Sequence, residues 1–279
     1  MAFGYLALAL ALAVSLNAAN RFLRAGGTLI AALALSMLAV SIVAADFDGT
    51  FTAMPPASSP LDPFKPLILN IQAAMATAAA AFLFWCALFQ LKRRTVEAAP
   101  LVNTASAFGL ISRYAHWITA TLILCLVPMG LFVSVLKAGS PESDEYLTAH
   151  QSLGLAIFAV AILRLLWLRV SPPPEPPFAL KLWERRLARL VHIGLYVLIF
   201  AFPLSGFFMC AFSGKAMQFF GWSFPPLATA DKHAAQIWIA AHDFVLPSAF
   251  YVLILAHAGG ALKHHFLDGR ASDIRRMLA

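Results

Sequence analysis

Seven apolar stretches dominate this chain of 279 residues, and each is close to the roughly 20 residues that a helix needs to cross a bilayer. They lie near positions 3–20, 27–45, 66–91, 113–136, 150–170, 190–212 and 234–262. Apolar residues make up 61% of the chain and charged residues 12%, so its apolar surface cannot be buried in one water-soluble core. The composition excludes a soluble globular enzyme, a disordered protein and a nucleic-acid-binding protein, and it predicts an all-α integral membrane protein.

The basic residues predict the orientation of the chain, because they recur in every second connection. These basic residues are Arg21 and Arg24, then Lys92, Arg93, Arg94 and Arg113, then Arg169, Lys181, Arg185, Arg186 and Arg189, and finally Arg270, Arg275 and Arg276. Connections that carry an excess of Lys and Arg stay in the cytoplasm. We therefore expect the N-terminus outside and the C-terminus in the cytoplasm, with membrane lipid around the seven spans.

The distribution of histidine divides the chain into two parts. All eight histidines follow Arg113, whereas the first three spans have none and are rich in Ala and Leu. We therefore expect an N-terminal extension of three transmembrane helices over residues 1–100 and a four-helix domain over residues 111–279. The small residues of the extension favour close helix packing, and we find no chemistry there.

An aromatic connection separates the last two spans. The segment Ser213–Lys232 carries Phe219, Phe220, Trp222 and Phe224. Aromatic side chains are enriched where a membrane meets water. The sequence therefore predicts an anchor at the outer interface, and a docking surface for a partner is the weaker alternative.

Five histidines fall at or inside predicted spans: His116, His150, His192, His242 and His257. Ionisable residues at membrane depth are costly and usually functional. Hydrogen bonding between helices explains one or two such residues, but it is a poor explanation for all five.

The depths of these histidines suggest two pairs. His242 and His257 belong to the last span and lie about 22 Å apart along a helix axis. His150 lies at the depth of His242 near the outside, and His116 at the depth of His257 near the cytoplasm. Two pairs of imidazoles from facing helices, one above the other, are typical of two six-coordinate haems. The sequence therefore predicts an electron path across the bilayer through a four-helix haem-binding bundle.

Two other uses of clustered histidines are less favoured. Zinc requires three or four ligands at one point, usually with Cys among them in structural sites. A proton relay usually needs carboxylates inside the membrane, and only Asp243 lies close.

The 15-residue spacing of His242 and His257 tests the pairing. In a regular α-helix it rotates the second ring about 60° past the face of the first. Pro247 lies between them and removes a backbone donor. We therefore expect a kink or a wide π-type turn near Leu246–Ser248, which absorbs one residue and realigns the rings.

An ordered set of motifs resembles the bacterial cytochrome b561 family over about residues 111–279. The motifs are Arg113-Tyr-Ala-His116-Trp, His150-Gln-Ser-Leu-Gly154, Leu163-Arg-Leu-Leu-Trp167, His192-Ile-Gly-Leu-Tyr196, Pro203-Leu-Ser-Gly206, His257-Ala-Gly-Gly-Ala-Leu-Lys-His-His-Phe266 and Arg275-Arg-Met277.

The resemblance implies a bacterial inner-membrane cytochrome with two haem b groups. It assigns His116 and His257 to the cytoplasmic haem, and His150 and His242 to the outer haem. It also implies electron exchange with ubiquinone on one side, and with superoxide or a redox protein on the other. The family includes an oxidoreductase that oxidises superoxide, so an enzymatic role is open. The chain departs from the family pattern in the longer spacing before His257 and in the extra N-terminal spans.

Four further residues are candidates for binding the cofactors. Arg113 is expected near the propionates of the inner haem, and Lys263 near those propionates or near a quinone head. Gly154, one turn after His150, lets a flat macrocycle approach its helix. His192 is left open between a propionate contact, a quinone pocket and direct ligation.

The resulting hypothesis is transmembrane electron transfer between ubiquinone and an outer donor or acceptor. The alternative is a haem-containing accessory or anchor subunit of a larger respiratory or dehydrogenase complex, attached through the three N-terminal spans and without turnover of its own.

Overall fold

The computed structural model describes residues 100–175, 180–267 and 276–277, together with separate positions and short stretches among residues 9–88. The three predicted N-terminal spans fall largely outside the described residues. The three-span extension over residues 1–100 therefore stays a prediction, and so does its boundary with the domain over residues 111–279.

Four helices in the described part are long and apolar enough to cross a membrane. They are α1 (Leu110–Val133), α2 (Pro141–Val170), α3 (Leu182–Phe212) and the continuous helical run Lys232–His264. The last run comprises α4 (Lys232–Ala240), a π-helical turn (Ala241–Val245) and the greater part of α5 (Leu246–Phe266). These helices correspond to the last four predicted spans.

Two helices begin earlier than hydropathy predicts: α2 at Pro141 rather than near 150, and α3 at Leu182 rather than near 190. Proline is well placed in the first turn of a helix because it has no N–H to leave unpaired. Glu142 and Asp144 in the same turn face the positive end of the helix dipole. Polar turns of this kind are invisible to an apolar pattern, and His150 therefore lies well inside α2 rather than at its start.

Many apolar side chains of the long helices are exposed. On α2 these include Leu163, Leu166 and Val170, with 63%, 60% and 70% of their surface accessible. In water this would be costly, but lipid tails are as apolar as these side chains. The pattern fits helices whose outer faces contact lipid.

The chain forms two compact units. One comprises residues 1–98, 117–153 and 218–222, and the other comprises residues 99–116, 154–217 and 223–279. Of the five predicted membrane histidines, His150 belongs to the first unit. The other four belong to the second.

In the first unit, the start of α2 is packed on α1. Leu122 and Met129 of α1 and Leu153 of α2 are almost completely buried. Phe132 and Tyr146 meet edge to face, with ring centroids 5.1 Å apart. These contacts fix the segment of α2 that carries His150.

In the second unit, α3 packs against both α4 and α5. The approach to α5 is close, because a Cβ at Gly194 would lie 2.7 Å from Cδ1 of Leu253. Small residues allow helices to approach in this way. The N-terminus of α4 is capped by Asp231, whose carboxylate accepts from the N–H groups of His233 and Ala234 at 2.9 and 3.1 Å.

The predicted wide turn is present, but it lies upstream of its expected position. It spans Ala241–Val245, and the N–H of Leu246 donates to the carbonyl of Ala241, five residues back. Leu246–Ser248, where we expected the turn, is the first turn of α5. The ring of Pro247 would clash with the carbonyl four residues before it, so the helix widens before the proline rather than at it.

A short β-hairpin occupies the aromatic connection between α3 and α4. Its strands are β1 (Met217–Phe219) and β2 (Trp222–Phe224). Phe220 and Gly221 form the two-residue turn with φ values of 48° and 93°. Two successive positive φ values are typical of a type I′ turn, which matches the twist of a hairpin.

Candidate functional site

Three histidines from three helices converge in the second unit. The ring centroids of His116 (α1) and His257 (α5) are 6.3 Å apart, with planes inclined at 53°. The centroids of His192 (α3) and His257 are 5.1 Å apart, with planes at 88°. The two rings that the sequence analysis assigns to the inner haem, those of His116 and His257, thus lie close together. The ring of His192 lies beside them.

The two separations have different chemical meanings. A metal–imidazole bond is about 2 Å long and the ring centroid lies about 1 Å behind the bonding nitrogen, so rings on opposite sides of one ion have centroids about 6 Å apart. His116 and His257 have this separation. His192 and His257 are closer and lie edge to face, in direct contact. The arrangement therefore favours His116, rather than His192, as the partner of His257 on one ion.

The ring of His192 is fixed by its own helix. Its Nδ1 lies 2.6 Å from the carbonyl oxygen of Ala188. Since a carbonyl only accepts, Nδ1 carries the proton, and in the neutral ring Nε2 is an acceptor. His192 is exposed, whereas His116 and His257 are partly buried. This residue is suited to contact a molecule that arrives at the side of the cluster.

Two guanidinium groups accompany the cluster. Arg113, one turn before His116, is 6% exposed and donates from Nε to the carbonyl of Phe108 at 2.8 Å. Its Nη1 is buried, and within the described ranges no hydrogen-bond partner reaches it. Arg164 lies over the ring of Tyr196 at 5.4 Å, and its charge interacts with both His116 and His257. Such a setting can receive the negative groups of a bound molecule.

His242 lies in the π-helical turn and is held by α3. Its Nδ1 is 2.8 Å from Oγ of Ser205, and that hydroxyl donates to the carbonyl of Phe202 at 2.9 Å. Because the Ser205 hydroxyl donates its proton to the carbonyl of Phe202, Nδ1 of His242 donates to Oγ of Ser205, which fixes the ring through its Nδ1. Gly206 lies against the ring, since a Cβ there would be 3.0 Å from Cε1 of His242.

The ring of His150, in the first unit, also lies against a glycine. A Cβ at Gly130 of α1 would lie 2.8 Å from Cε1 of His150. A side chain at position 130 would therefore displace the imidazole. Both outer histidines predicted from the sequence thus lie on a glycine of a neighbouring helix.

The remaining predicted residues differ in their surroundings. A Cβ at Gly154 would meet nothing within 4 Å, so the surface there is open to a flat ligand. Nζ of Lys263 forms an ion pair with Oε1 of Glu184 at 2.6 Å, and Oε2 of Glu184 accepts from the N–H of Lys181 at 3.0 Å. Lys263 therefore ties the end of α5 to the start of α3. Its contact with a haem or quinone stays a prediction.

A compact multidentate metal site is not formed by the residues that the structure describes. Among them, no group of three or more His, Cys, Asp or Glu side chains is arranged to hold a metal ion. Structural zinc usually needs four such ligands and catalytic zinc three. Imidazoles that project from long apolar helices, such as those of His116 and His257, are instead typical of a membrane haem protein.

Comparison with known proteins identifies the family. The family model for prokaryotic cytochrome b561 matches residues 107–279. Cytochrome b561 homolog 2 of Escherichia coli (strain K12) is 33% identical over 176 residues, which are 63% of this chain and 93% of the relative. Cytochrome b561 homolog 1 of the same organism is 32% identical over 178 residues, or 61% of this chain and 96% of the relative.

A third relative has a more specific name. The probable superoxide oxidase CybB of Yersinia pestis is 28% identical over 158 residues, which are 54% of this chain and 85% of the relative.

The chain belongs to the prokaryotic cytochrome b561 family. The four span-length helices found among the described residues fit the helical bundle of that family. It is a multi-pass protein of a bacterial inner membrane that functions in transmembrane electron transfer, and the family typically binds haem b.

The residues present fit a haem. The rings of His116 and His257 have the separation of two axial ligands, and the buried Nη1 of Arg113 lacks a partner in the described part of the chain. A propionate would satisfy that nitrogen. The open surface at Gly154 leaves room for a macrocycle beside α2.

Sequence reasoning missed two contributors to these sites. Ser205 was visible only as part of the motif Pro203-Leu-Ser-Gly206, and its bond to His242 joins positions 37 residues apart. Arg164 was visible only inside the motif Leu163-Arg-Leu-Leu-Trp167, but its guanidinium lies over Tyr196 and its charge acts on His116 of the cluster. A basic residue within an apolar motif was the available signal for Arg164.

Proposed function

We propose that this protein holds two haem b groups and carries electrons between quinone at the cytoplasmic side and a donor or acceptor outside. The observation that carries the proposal is the 6.3 Å separation of the His116 and His257 rings, beside two arginines. The N-terminus outside and the C-terminus inside, as the basic connections predict, place this cluster near the cytoplasm.

For the inner haem, we assign His116 and His257 as the residues that would hold the iron. Arg113 offers its buried Nη1 to a propionate, and Arg164 adds a second positive charge. Positive charge near a haem favours the reduced state, because reduction lowers the charge on the iron. The two arginines therefore make the inner haem the better electron acceptor.

For the outer haem, we assign His150 and His242, which the sequence places at one depth. Each ring is supported independently, by Gly130 and by Gly206 with Ser205. When bound, each haem supplies an iron that gains and loses one electron. The protein orients the His242 ring through its Nδ1, which donates to Oγ of Ser205, so that Nε2 is the nitrogen that would bind an iron.

The quinone is assigned to the side of the inner cluster. His192 is exposed there, and its Nδ1 is directed to the carbonyl of Ala188, so its Nε2 is the nitrogen that would face a quinol hydroxyl. The ion pair of Lys263 with Glu184 closes the same end of α3 and α5. Reduction of a quinone to the quinol would require two electrons and two protons, and His192 would accept a hydrogen bond from the quinol hydroxyl.

Superoxide is one candidate for the outer donor, because a relative is named a probable superoxide oxidase. Each superoxide would give one electron and leave as dioxygen. The outer connections carry Lys137, Lys215 and Lys232, but also Glu142, Asp144 and Glu145. This balance attracts an anion weakly, which leaves a redox protein as the other candidate.

Rapid mixing of the oxidised protein with superoxide tests the choice. For a superoxide oxidase, the haems should become reduced, as their absorption bands report, faster than superoxide dismutates. Added ubiquinone-1 should then reoxidise the haems. Haems that ubiquinol reduces but superoxide does not would exclude superoxide as the donor and favour a redox protein.

An accessory role remains the second candidate. Alignments with the two Escherichia coli relatives cover 93% and 96% of those proteins but only 63% and 61% of this chain. The family match begins at residue 107, so the first 100 residues are additional to the cytochrome unit. If they attach a larger complex, mild detergent extraction should yield stoichiometric partners, and the isolated chain should show no turnover.

The bond between Ser205 and His242 gives a direct prediction. Ser205→Ala removes the acceptor for Nδ1–H, and loss of such an outer partner typically weakens metal binding about 10- to 100-fold. We expect one haem of the variant to transfer to excess apomyoglobin faster by a similar factor. Ser134→Ala is the control, because the Ser134 hydroxyl, directly after α1, donates to the nearby carbonyl of Leu131 at 2.7 Å. Equal haem loss from both variants would contradict a role for Ser205 at His242.

A further inference from the structure

The β-hairpin is bonded to the turn of α2 that carries His150. The N–H of Gln218 donates to Oε1 of Gln151 at 2.8 Å, and the N–H of Phe220 donates to Oγ of Ser152 at 2.9 Å. Gln151 and Ser152 directly follow His150. These two bonds join segments 67 and 68 residues apart, within the first compact unit.

Ser152 is the centre of this connection. It is completely buried, and its hydroxyl donates to the carbonyl of Thr148 at 2.7 Å while accepting from Phe220. Thr148 and Ser152 lie two residues before and two residues after His150. The hydroxyl therefore links the hairpin to the helical turn on both sides of the histidine.

The hairpin reaches Ser152 through a strained tip. Phe220 has φ 48°, a conformation that a residue with a side chain adopts only at a cost. The bond to Ser152 helps to offset that cost. This bond therefore joins the tip of the hairpin to the turn of α2 that carries His150.

We propose that this hairpin is a clamp that sets the orientation of the His150 ring, and that Ser152 and Gln151 are positioning residues of the outer haem. Gly130 of α1 restricts the position of the His150 ring. The hairpin fixes the turn of α2 that carries His150, through the bond from Phe220 to Ser152. The orientation of an axial imidazole affects the electronic state and potential of a haem iron. The inference rests on the proposed function, because it requires His150 to be a ligand.

Two variants far apart in sequence test the clamp. Ser152→Ala removes the acceptor of the Phe220 N–H. Gly221→Val disrupts the turn without touching α2, because φ 93° is unfavourable for valine, while an added Cβ meets nothing within 4 Å. We expect both variants to keep two haems. In the electron paramagnetic resonance spectrum, each haem should give one low-spin signal, and both variants should shift the same signal.

The redox titration gives the second readout. In both variants, one haem should change its one-electron equilibrium constant by about tenfold, equivalent to about 59 mV, while the other is unchanged. Gly221→Asn is the matched control for the turn, since asparagine tolerates positive φ, and Ser134→Ala is the control for the lost hydroxyl. Both controls should resemble the unchanged protein.

The outcomes separate the clamp from the function on which it rests. An unchanged protein without haem would contradict the proposed function itself. Two haems in the unchanged protein, with no spectral or potential change in Gly221→Val, would overturn the clamp while leaving the proposed function intact. A change in Ser152→Ala alone would likewise overturn it, because the effect would then be local to α2.

Discussion

Replacing His257 by alanine is expected to lower the haem content of the purified protein from two per chain to one. The ring centroids of His257 and His116 are 6.3 Å apart, a separation at which both imidazoles would hold one iron, and a backbone group would not replace the lost imidazole. His116→Ala should have the same effect, and the same haem should be lost. The pyridine haemochrome assay, normalised to protein, measures the ratio directly.

His192→Ala is the matched control for this experiment. His192 contacts the ring of His257 as closely as any residue of the cluster, at 5.1 Å between centroids, but in edge-to-face geometry. We expect this variant to retain both haems and to bind quinone more weakly. Loss of a haem in His192→Ala, with retention in His116→Ala, would reverse the assignment of the inner ligands.

The π-helical turn shows what a sequence pattern can predict about a site. The 15-residue spacing of His242 and His257 requires one residue to be absorbed, and Pro247 supplies a physical reason for a distortion. The turn exists between the two histidines, at Ala241–Val245. Its position differed from the expected one because the steric effect of proline acts on the preceding turn.

Side-chain contacts between segments that are distant in the chain could not be predicted from the sequence. The helical pattern located four spans, but it gave no reason to pair Ser205 with His242, or Ser152 with Phe220, since no local periodicity encodes those contacts. The hairpin was also missed. Its turn has Phe220 where Asn or Asp is usual, so the residues gave no hairpin signal despite Gly221.

The polar helix ends were missed for a different reason. Hydropathy marks the apolar length of a span, whereas a helix continues wherever backbone bonds and capping allow it. Glu184 belongs to such a turn at the start of α3, where it binds both Lys181 and Lys263. The charged residues that limited the predicted span therefore belong to α3, and they bind its first turn to the end of α5.

The outer haem is best tested by a double-mutant cycle on His150 and His242. Each single replacement by alanine should remove one haem, because a six-coordinate site needs both imidazoles. If the two residues share an iron, the double variant should still retain the inner haem, and its haem content should equal that of either single variant. Effects of residues that act as one unit are non-additive in this way.

The contrasting pair is His150→Ala with His116→Ala, which takes one ligand from each proposed haem. This double variant should contain no haem, although it too replaces only two histidines. A protein with one haem in this combination, and none after replacement of His150 and His242, would show that the histidines are paired differently along the membrane normal. The cycle thus tests the pairing of His150 with His242 and of His116 with His257, which we inferred from their depth in the predicted spans. The test does not depend on the effect of any single replacement.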